Sequence, residues 1–79
     1  MMAYVLIKVK TGKERAVLEA LHDIKKLHDV YVLLGDFDYI IQVETPDANE
    51  LGHLVSDAIR KLPGIQKTNT LLVTPTLKS

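Results

Sequence analysis

The chain has 79 residues, of which 47% are hydrophobic, enough for one small domain with a single apolar core. Its 10 lysines and arginines balance 10 aspartates and glutamates, which leaves no excess positive charge for binding nucleic acid phosphates directly. Because the chain contains no cysteine, disulfides and thiolate metal sites are excluded, and we expect apolar packing and self-association to stabilise the domain.

The sequence shows no signal for membrane insertion or export. No apolar run approaches the roughly 20 residues that span a bilayer, and the start, Met1-Met2-Ala3-Tyr4, lacks the basic residues of a signal peptide. We therefore predict a single domain over residues 1–79, located in the cytoplasm and without a membrane partner.

The first predicted elements are a strand and a helix. Apolar residues alternate over residues 3–9, which is the period of a strand. Thr11 and Glu14 have the spacing of a capping box, and helical intervals then separate Val17, Leu18, Leu21 and Ile24. This pattern predicts a helix that continues to about Lys26.

A hairpin, a second helix and a last strand follow. Residues 30–34 and 39–45 are strand-like and flank the turn residues 35–38, while Pro46 ends the second of these strands. Asp47 and Glu50 form another capping pattern ahead of an apolar stripe made of Leu51, Leu54, Val55, Ala58, Ile59 and Leu62. Residues 63–64 end this helix, and a last strand is predicted over residues 65–74, with Pro75 near its end.

The order βαββαβ predicts an α+β, ferredoxin-like fold, in which two helices cover one face of a four-stranded antiparallel sheet. The alternation places several apolar side chains on the other face: Tyr4, Leu6, Ile40 and Leu72. We predict that this face is an oligomer interface, paired sheet to sheet in a two-fold dimer. The alternative is that these are scattered surface aliphatics without a role.

Acidic and hydroxyl side chains are the candidates for ligand binding. Asp36 is explained by turn chemistry, whereas Asp38 suits either a turn or the ammonium group of a ligand that approaches Gly35 closely. Thr68 and Thr70 are two residues apart on a strand, so their hydroxyls share a face and are able to donate to a carboxylate. Threonine also favours strands without any ligand, and on the residues alone we prefer this structural explanation for both threonines.

The sequence contains no catalytic or metal-binding constellation. His22 and His53 lie in different predicted helices and His28 in a connection, so no metal, cofactor or catalytic residue is predicted. Small cofactor-free α+β enzymes that use a pocket histidine are the enzymatic alternative. We do not favour this enzymatic alternative, because His22 and His53 are expected on the polar sides of their helices, without acidic partners.

Two segments of the sequence resemble one regulatory family. Residues 32–39, Val-Leu-Leu-Gly-Asp-Phe-Asp-Tyr, and residues 62–70, Leu-Pro-Gly-Ile-Gln-Lys-Thr-Asn-Thr, are similar to the effector-binding domain of the Lrp/AsnC transcription regulators, also called the RAM domain. The resemblance runs from the first strand to about Pro75. It implies a regulatory domain rather than an enzyme.

The resemblance also implies a ligand and an assembly. Family members bind small effectors, typically amino acids, between homodimers that form octameric or similar rings. The ligand region falls here on Val32, Gly35, Asp36, Phe37, Asp38, Thr68, Asn69 and Thr70. Positions in the second helix that modulate the family's effector response are occupied by Ala48, Ala58 and Arg60, so the effector itself does not carry over.

Full-length members of the family carry a helix-turn-helix DNA-binding domain ahead of this module. Here the first strand begins almost at Met1, so the chain resembles the stand-alone form and is expected to modulate transcription indirectly, without binding nucleic acid. The alternative is a non-sensing module that co-assembles with full-length Lrp/AsnC regulators.

Overall fold

The computed structural model describes residues 1–74, which form one antiparallel sheet covered on one side by helices. The elements in chain order are β1 (Met2–Val9), α1 (Glu14–His22), β2 (Leu27–Val32), β3 (Tyr39–Glu44), α2 (Ala48–His53), a π-helical segment (Leu54–Ile59) and β4 (Ile65–Leu72). The strand order in the sheet is β2-β3-β1-β4. The predicted ferredoxin-like fold is therefore confirmed, while Pro75 lies outside the described residues.

The first helix begins and ends differently from the prediction. Lys13, not Thr11, precedes the helix, and it makes no capping hydrogen bond through its side chain. The Glu14 carboxylate instead accepts the backbone N–H of Gly12, with distances of 2.9 and 3.0 Å to its two oxygens. The predicted capping box is thus wrong, and the helix ends at His22 rather than near Lys26.

Strand β2 begins at Leu27, three residues before the predicted start. Its pairing with β3 shifts between Leu27 and Asp29, and this bulge breaks the alternation that sequence analysis relies on. On either side of the bulge, Leu27 and Val30 both pack against the core. His28 therefore lies in a strand and not in a connection.

The second helix starts as predicted, because the Asp47 side chain accepts the backbone N–H of Glu50 at 2.9 Å. From Leu54 the helix widens to the π form, in which the N–H of Arg60 donates to the carbonyl of Val55 at 2.8 Å. Within residues 1–74, no helix is long and apolar enough to cross a membrane.

The core lies between the helices and one face of the sheet. Side chains of β1 alternate strictly, and every second one is buried: Ala3, Val5, Ile7 and Val9. Buried residues of β3 and of the helices complete this layer: Tyr39, Ile41, Val43, Val17, Leu21, Leu51, Leu54, Val55 and Ile59. Burial of such side chains contributes about 1.5 to 3 kcal/mol each and holds the helices on this face.

The opposite side of the sheet, which we call the open face, is not covered by any helix of the described chain. Tyr4 and Leu6 of β1 point to it, and Ile40 pairs with Leu6 in the register of β1 and β3. All three side chains are only partly buried. The predicted placement of these residues is therefore confirmed.

The predicted position of Leu72 on the open face is wrong, because Leu72 pairs with Ala3 and therefore lies on the helix side of the sheet. Leu71, opposite Tyr4, takes its place on the open face and is 47% exposed. The reason is a bulge: Lys8 pairs with Lys67 and Val9 with Ile65, so one extra residue interrupts the alternation of β4.

Gly64 allows the loop before β4 to approach α1 closely, and we expect Gly64→Ala to destabilise the fold. Its φ is +99°, and an added Cβ would lie 2.7 Å from the Cβ of Lys13. Because alanine is disfavoured in left-handed backbone and its Cβ would overlap Lys13, we expect the free energy of unfolding to fall by about 2 kcal/mol or more. Urea denaturation measures it.

Gly52→Ala is the matched control, because a Cβ at this exposed helical position would contact nothing within 4 Å. Alanine there should stabilise the helix by about 0.5 to 1 kcal/mol. Equal stabilities of the two variants would contradict the assigned role of Gly64.

Candidate functional site

The connection between β2 and β3, residues 33–38, is tied to the ends of β1 and β4. The Lys8 ammonium group donates to the carbonyl oxygen of Asp36 at 2.8 Å. The Lys67 ammonium group lies 5.5 Å from the centre of the Phe37 ring, within the range of a cation–π contact. Gly35 adopts a φ of +153°, which suits glycine best. These contacts place Asp36 and Phe37 beside the open-face lysines.

Asp38 extends the pairing of β3 with β1 beyond the end of the strand. One carboxylate oxygen, Oδ2, accepts the backbone N–H of Val9 at 2.7 Å, and the Asp38 N–H donates to the carbonyl of Ile7 at 2.8 Å. Its own carbonyl accepts the N–H of Leu33 at 2.8 Å. Asp38 therefore has a structural role of the kind that turn chemistry predicts, and its pairing with a ligand ammonium group stays a prediction.

Tyr39 connects the same end of the sheet to α1. Its side chain is buried, and its hydroxyl donates to the carbonyl oxygen of Glu14 at 2.9 Å. Burial, together with the nearby carboxylates of Asp38 and Glu14, raises the pKa of the Tyr39 hydroxyl above 10.0. The phenol therefore keeps its proton at neutral pH and remains a donor, which anchors the start of α1.

The three predicted ligand residues of β4 divide between the two faces of the sheet. Thr68 pairs with Ile7 and Thr70 with Val5, so both lie on the helix side, and the prediction that they share a face is confirmed. Asn69 pairs with Leu6 and lies on the open face. Asn69 is thus on the face of Lys67 rather than with the two threonines.

Val32 is separated from the three predicted ligand residues of β4. It is the last residue of β2, it is 67% exposed, and it pairs with Tyr39 on the helix side. Since β2 and β4 are the two edges of the sheet, three strand spacings, roughly 14 Å, separate them. A single chain therefore does not bring Val32 into one pocket with the predicted ligand residues of β4.

Two lysines near these positions were missed by sequence analysis. Lys8 and Lys67 contact the hairpin connection, while Arg60, which the family resemblance had already singled out, borders an open cavity of about 480 Å³ together with residues 65–68. The available signal was a lysine at an open-face position of the otherwise apolar strand β1, whereas Lys67 lies among polar residues of β4. The contacts themselves join residues far apart in the chain, which no local pattern reports.

The histidines do not form a site. His53 Nδ1 lies 3.3 Å from Asp57 Oδ2, so the expectation that His53 lacks an acidic partner is wrong, but both side chains are well exposed to solvent. His28 Nε2 lies 3.9 Å from Glu44 Oε2 in a similarly exposed pair. In the part of the chain that the structure describes, no three His, Asp or Glu side chains are arranged to hold a metal ion.

The two roles considered for Asp38 are separable by mutation. We expect Asp38→Ala to lower the free energy of unfolding by about 1 to 3 kcal/mol, because the Val9 N–H loses its acceptor. Asp38→Asn keeps an acceptor oxygen and should stay within about 1 kcal/mol of the wild type. Denaturant titrations of the two variants without ligand test this, and equal losses for both would contradict the assigned hydrogen bond.

Comparison with known proteins identifies the family. The sequence model described as the Lrp/AsnC ligand binding domain matches residues 2–79. The HTH-type transcriptional regulator FL11 of Pyrococcus abyssi is 36% identical over 78 residues, a match that covers 99% of this chain and 51% of the regulator. The chain thus spans about half the length of the curated relatives it matches.

Solved structures agree with this assignment. FFRP-DM1 superposes with a TM-score of 0.87 at 36% identity, over 92% of this chain and 97% of that chain. The regulator NMB0573 of Neisseria meningitidis, solved as an L-Met complex, superposes with a TM-score of 0.86. The two sequences are 20% identical, and the superposition covers 99% of this chain and 52% of the regulator's chain. This similarity is therefore evidence for the fold alone. The chain belongs to the Lrp/AsnC family and has the fold of its ligand-binding domain, whose curated relatives include transcription regulators.

Proposed function

We propose that this chain is a regulatory domain that binds a small effector, with amino acids as the leading class, between chains of an oligomer. Binding shifts the assembly equilibrium and so modulates transcription indirectly, through regulators of the same family. The observation that carries this proposal is the separation of Val32 from Thr68 and Thr70 at opposite edges of the sheet.

An effector that contacts both edges must lie between chains. A small amino acid is far shorter than the roughly 14 Å between β2 and β4. Juxtaposition of the Val32 end of one chain's β2 with another chain's β4 brings Val32 close to Thr68 and Thr70. In this arrangement effector binding depends on assembly, as a sensor of this kind requires.

The open face supplies the first step of assembly. Tyr4, Leu6, Ile40 and Leu71 form an apolar surface around the central strands, and no described part of the chain covers it. Two such faces packed together bury these side chains in a two-fold dimer, the commonest soluble assembly. Dimers then form the larger ring, an octamer or a related assembly, with effector sites between them.

The chemistry of the predicted residues suits an amino acid. The Thr68 and Thr70 hydroxyls, on one face of β4, are donors for a carboxylate, and the carboxylate of Asp38 is an acceptor for an ammonium group. The Neisseria meningitidis regulator of the same fold was solved with L-Met. We extend that ligand class to this chain as part of the proposal.

The effector acts only if it binds one assembly state more tightly than another. A coupling free energy of about 1 to 3 kcal/mol, or roughly 5- to 150-fold in affinity, is typical of such systems. Ligand at a concentration well above the Kd of the tighter-binding state then changes the mass or the thermal stability measurably.

We expect at least one common amino acid at millimolar concentration to change the assembly. Size-exclusion chromatography with light scattering across a panel of amino acids measures the mass, and thermal unfolding provides an independent readout. Thr68→Val keeps the shape of the side chain but removes the hydroxyl, so the response should weaken while the mass without ligand stays the same. A mass and a melting temperature that no amino acid changes would contradict the proposal.

A further inference from the structure

The groove between the end of the π-helical segment and the start of β4 is lined by two basic side chains that are not among the predicted ligand residues. We call it the corner groove, and it is lined by Arg60, Ile65, Gln66, Lys67 and Thr68. Its volume is about 480 Å³, which exceeds the size of a small metabolite. Thr68 belongs both to this groove and to the predicted effector residues.

The groove carries positive charge that is not neutralised within residues 1–74. The ion pairs of that region join other residues: Lys26 with Glu50, His28 with Glu44, and His53 with Asp57. Lys67 instead contacts the Phe37 ring, which leaves its charge intact, and Lys8 pairs with Lys67 across the two strands. In a chain with formal net charge +0, this corner is a local concentration of cations.

The donors of the groove match an anionic group. Arg60 follows the π-helical segment, and its planar guanidinium is able to bind two oxygens of a carboxylate or a phosphate at once. The Gln66 amide and the Thr68 hydroxyl are further donors. Strand β4 is a sheet edge, so alternate backbone N–H groups also point away from β1.

We propose that the corner groove binds the anionic group of a small metabolite, either a carboxylate or a phosphate, through Arg60, while the positive charge of Lys67 at the groove's edge attracts the anion. This inference rests on the proposed function and deepens it, because it names an acidic effector class rather than a neutral apolar amino acid. Thr68 then connects anion binding to the effector site between chains.

Calorimetric titration with glutarate and, separately, with inorganic phosphate tests the groove and distinguishes the two sources of negative charge. Arg60→Gln should raise the Kd of the anion that binds by tenfold or more, and Lys67→Gln should raise it severalfold. Lys25→Gln is the control, since it removes the same charge from an exposed position in the connection between α1 and β2. Circular dichroism verifies that each variant is folded.

The outcomes separate this inference from the proposed function. If neither anion binds the wild type, or if Arg60→Gln and Lys25→Gln have the same affinity, the corner groove is not an anion site. If an amino acid still shifts the assembly in that case, the proposed sensor function is not contradicted. Anion binding that depends on Arg60 but changes no assembly supports the groove and counts against the sensor.

Discussion

The alternation of side chains along β1 is the constraint on which the rest of the molecule depends. Because β1 lies between β3 and β4, its two faces determine the two faces of the whole sheet. One set of side chains holds both helices, and the other set, which includes Tyr4 and Leu6, has no cover within the described chain. A small domain with one covered face gains stability if it associates, and in the proposed function association also controls effector binding.

The end of the sheet near Val9 carries the hairpin residues of the proposed effector site. Asp38 bonds the backbone of Val9, Tyr39 bonds the start of α1, and Lys8 bonds the carbonyl of Asp36. These three contacts hold the hairpin connection in a defined position instead of leaving it free to move. Assembly can then present it to a neighbouring chain without a large cost in conformational entropy.

Local patterns explain which parts of the structure were predictable. The element order, the Asp47 cap and the shared face of Thr68 and Thr70 all follow from spacing within a few residues. Leu72 was misplaced because a bulge near the start of β4 reverses its alternation, and bulges leave no clear trace in composition. The candidate site was predicted residue by residue but not as a whole, since Lys8 contacts Asp36 across 28 positions and no local pattern reports such a contact.

Sedimentation equilibrium of the chain over a range of micromolar concentrations shows whether the open face is an interface. We expect a dimer or a larger assembly for the wild type. Leu6→Lys, which adds a charge to the centre of that face, should shift the mass towards the monomer without changing the circular dichroism spectrum. A wild type that is monomeric at every concentration, or a variant with unchanged mass, would contradict this expectation.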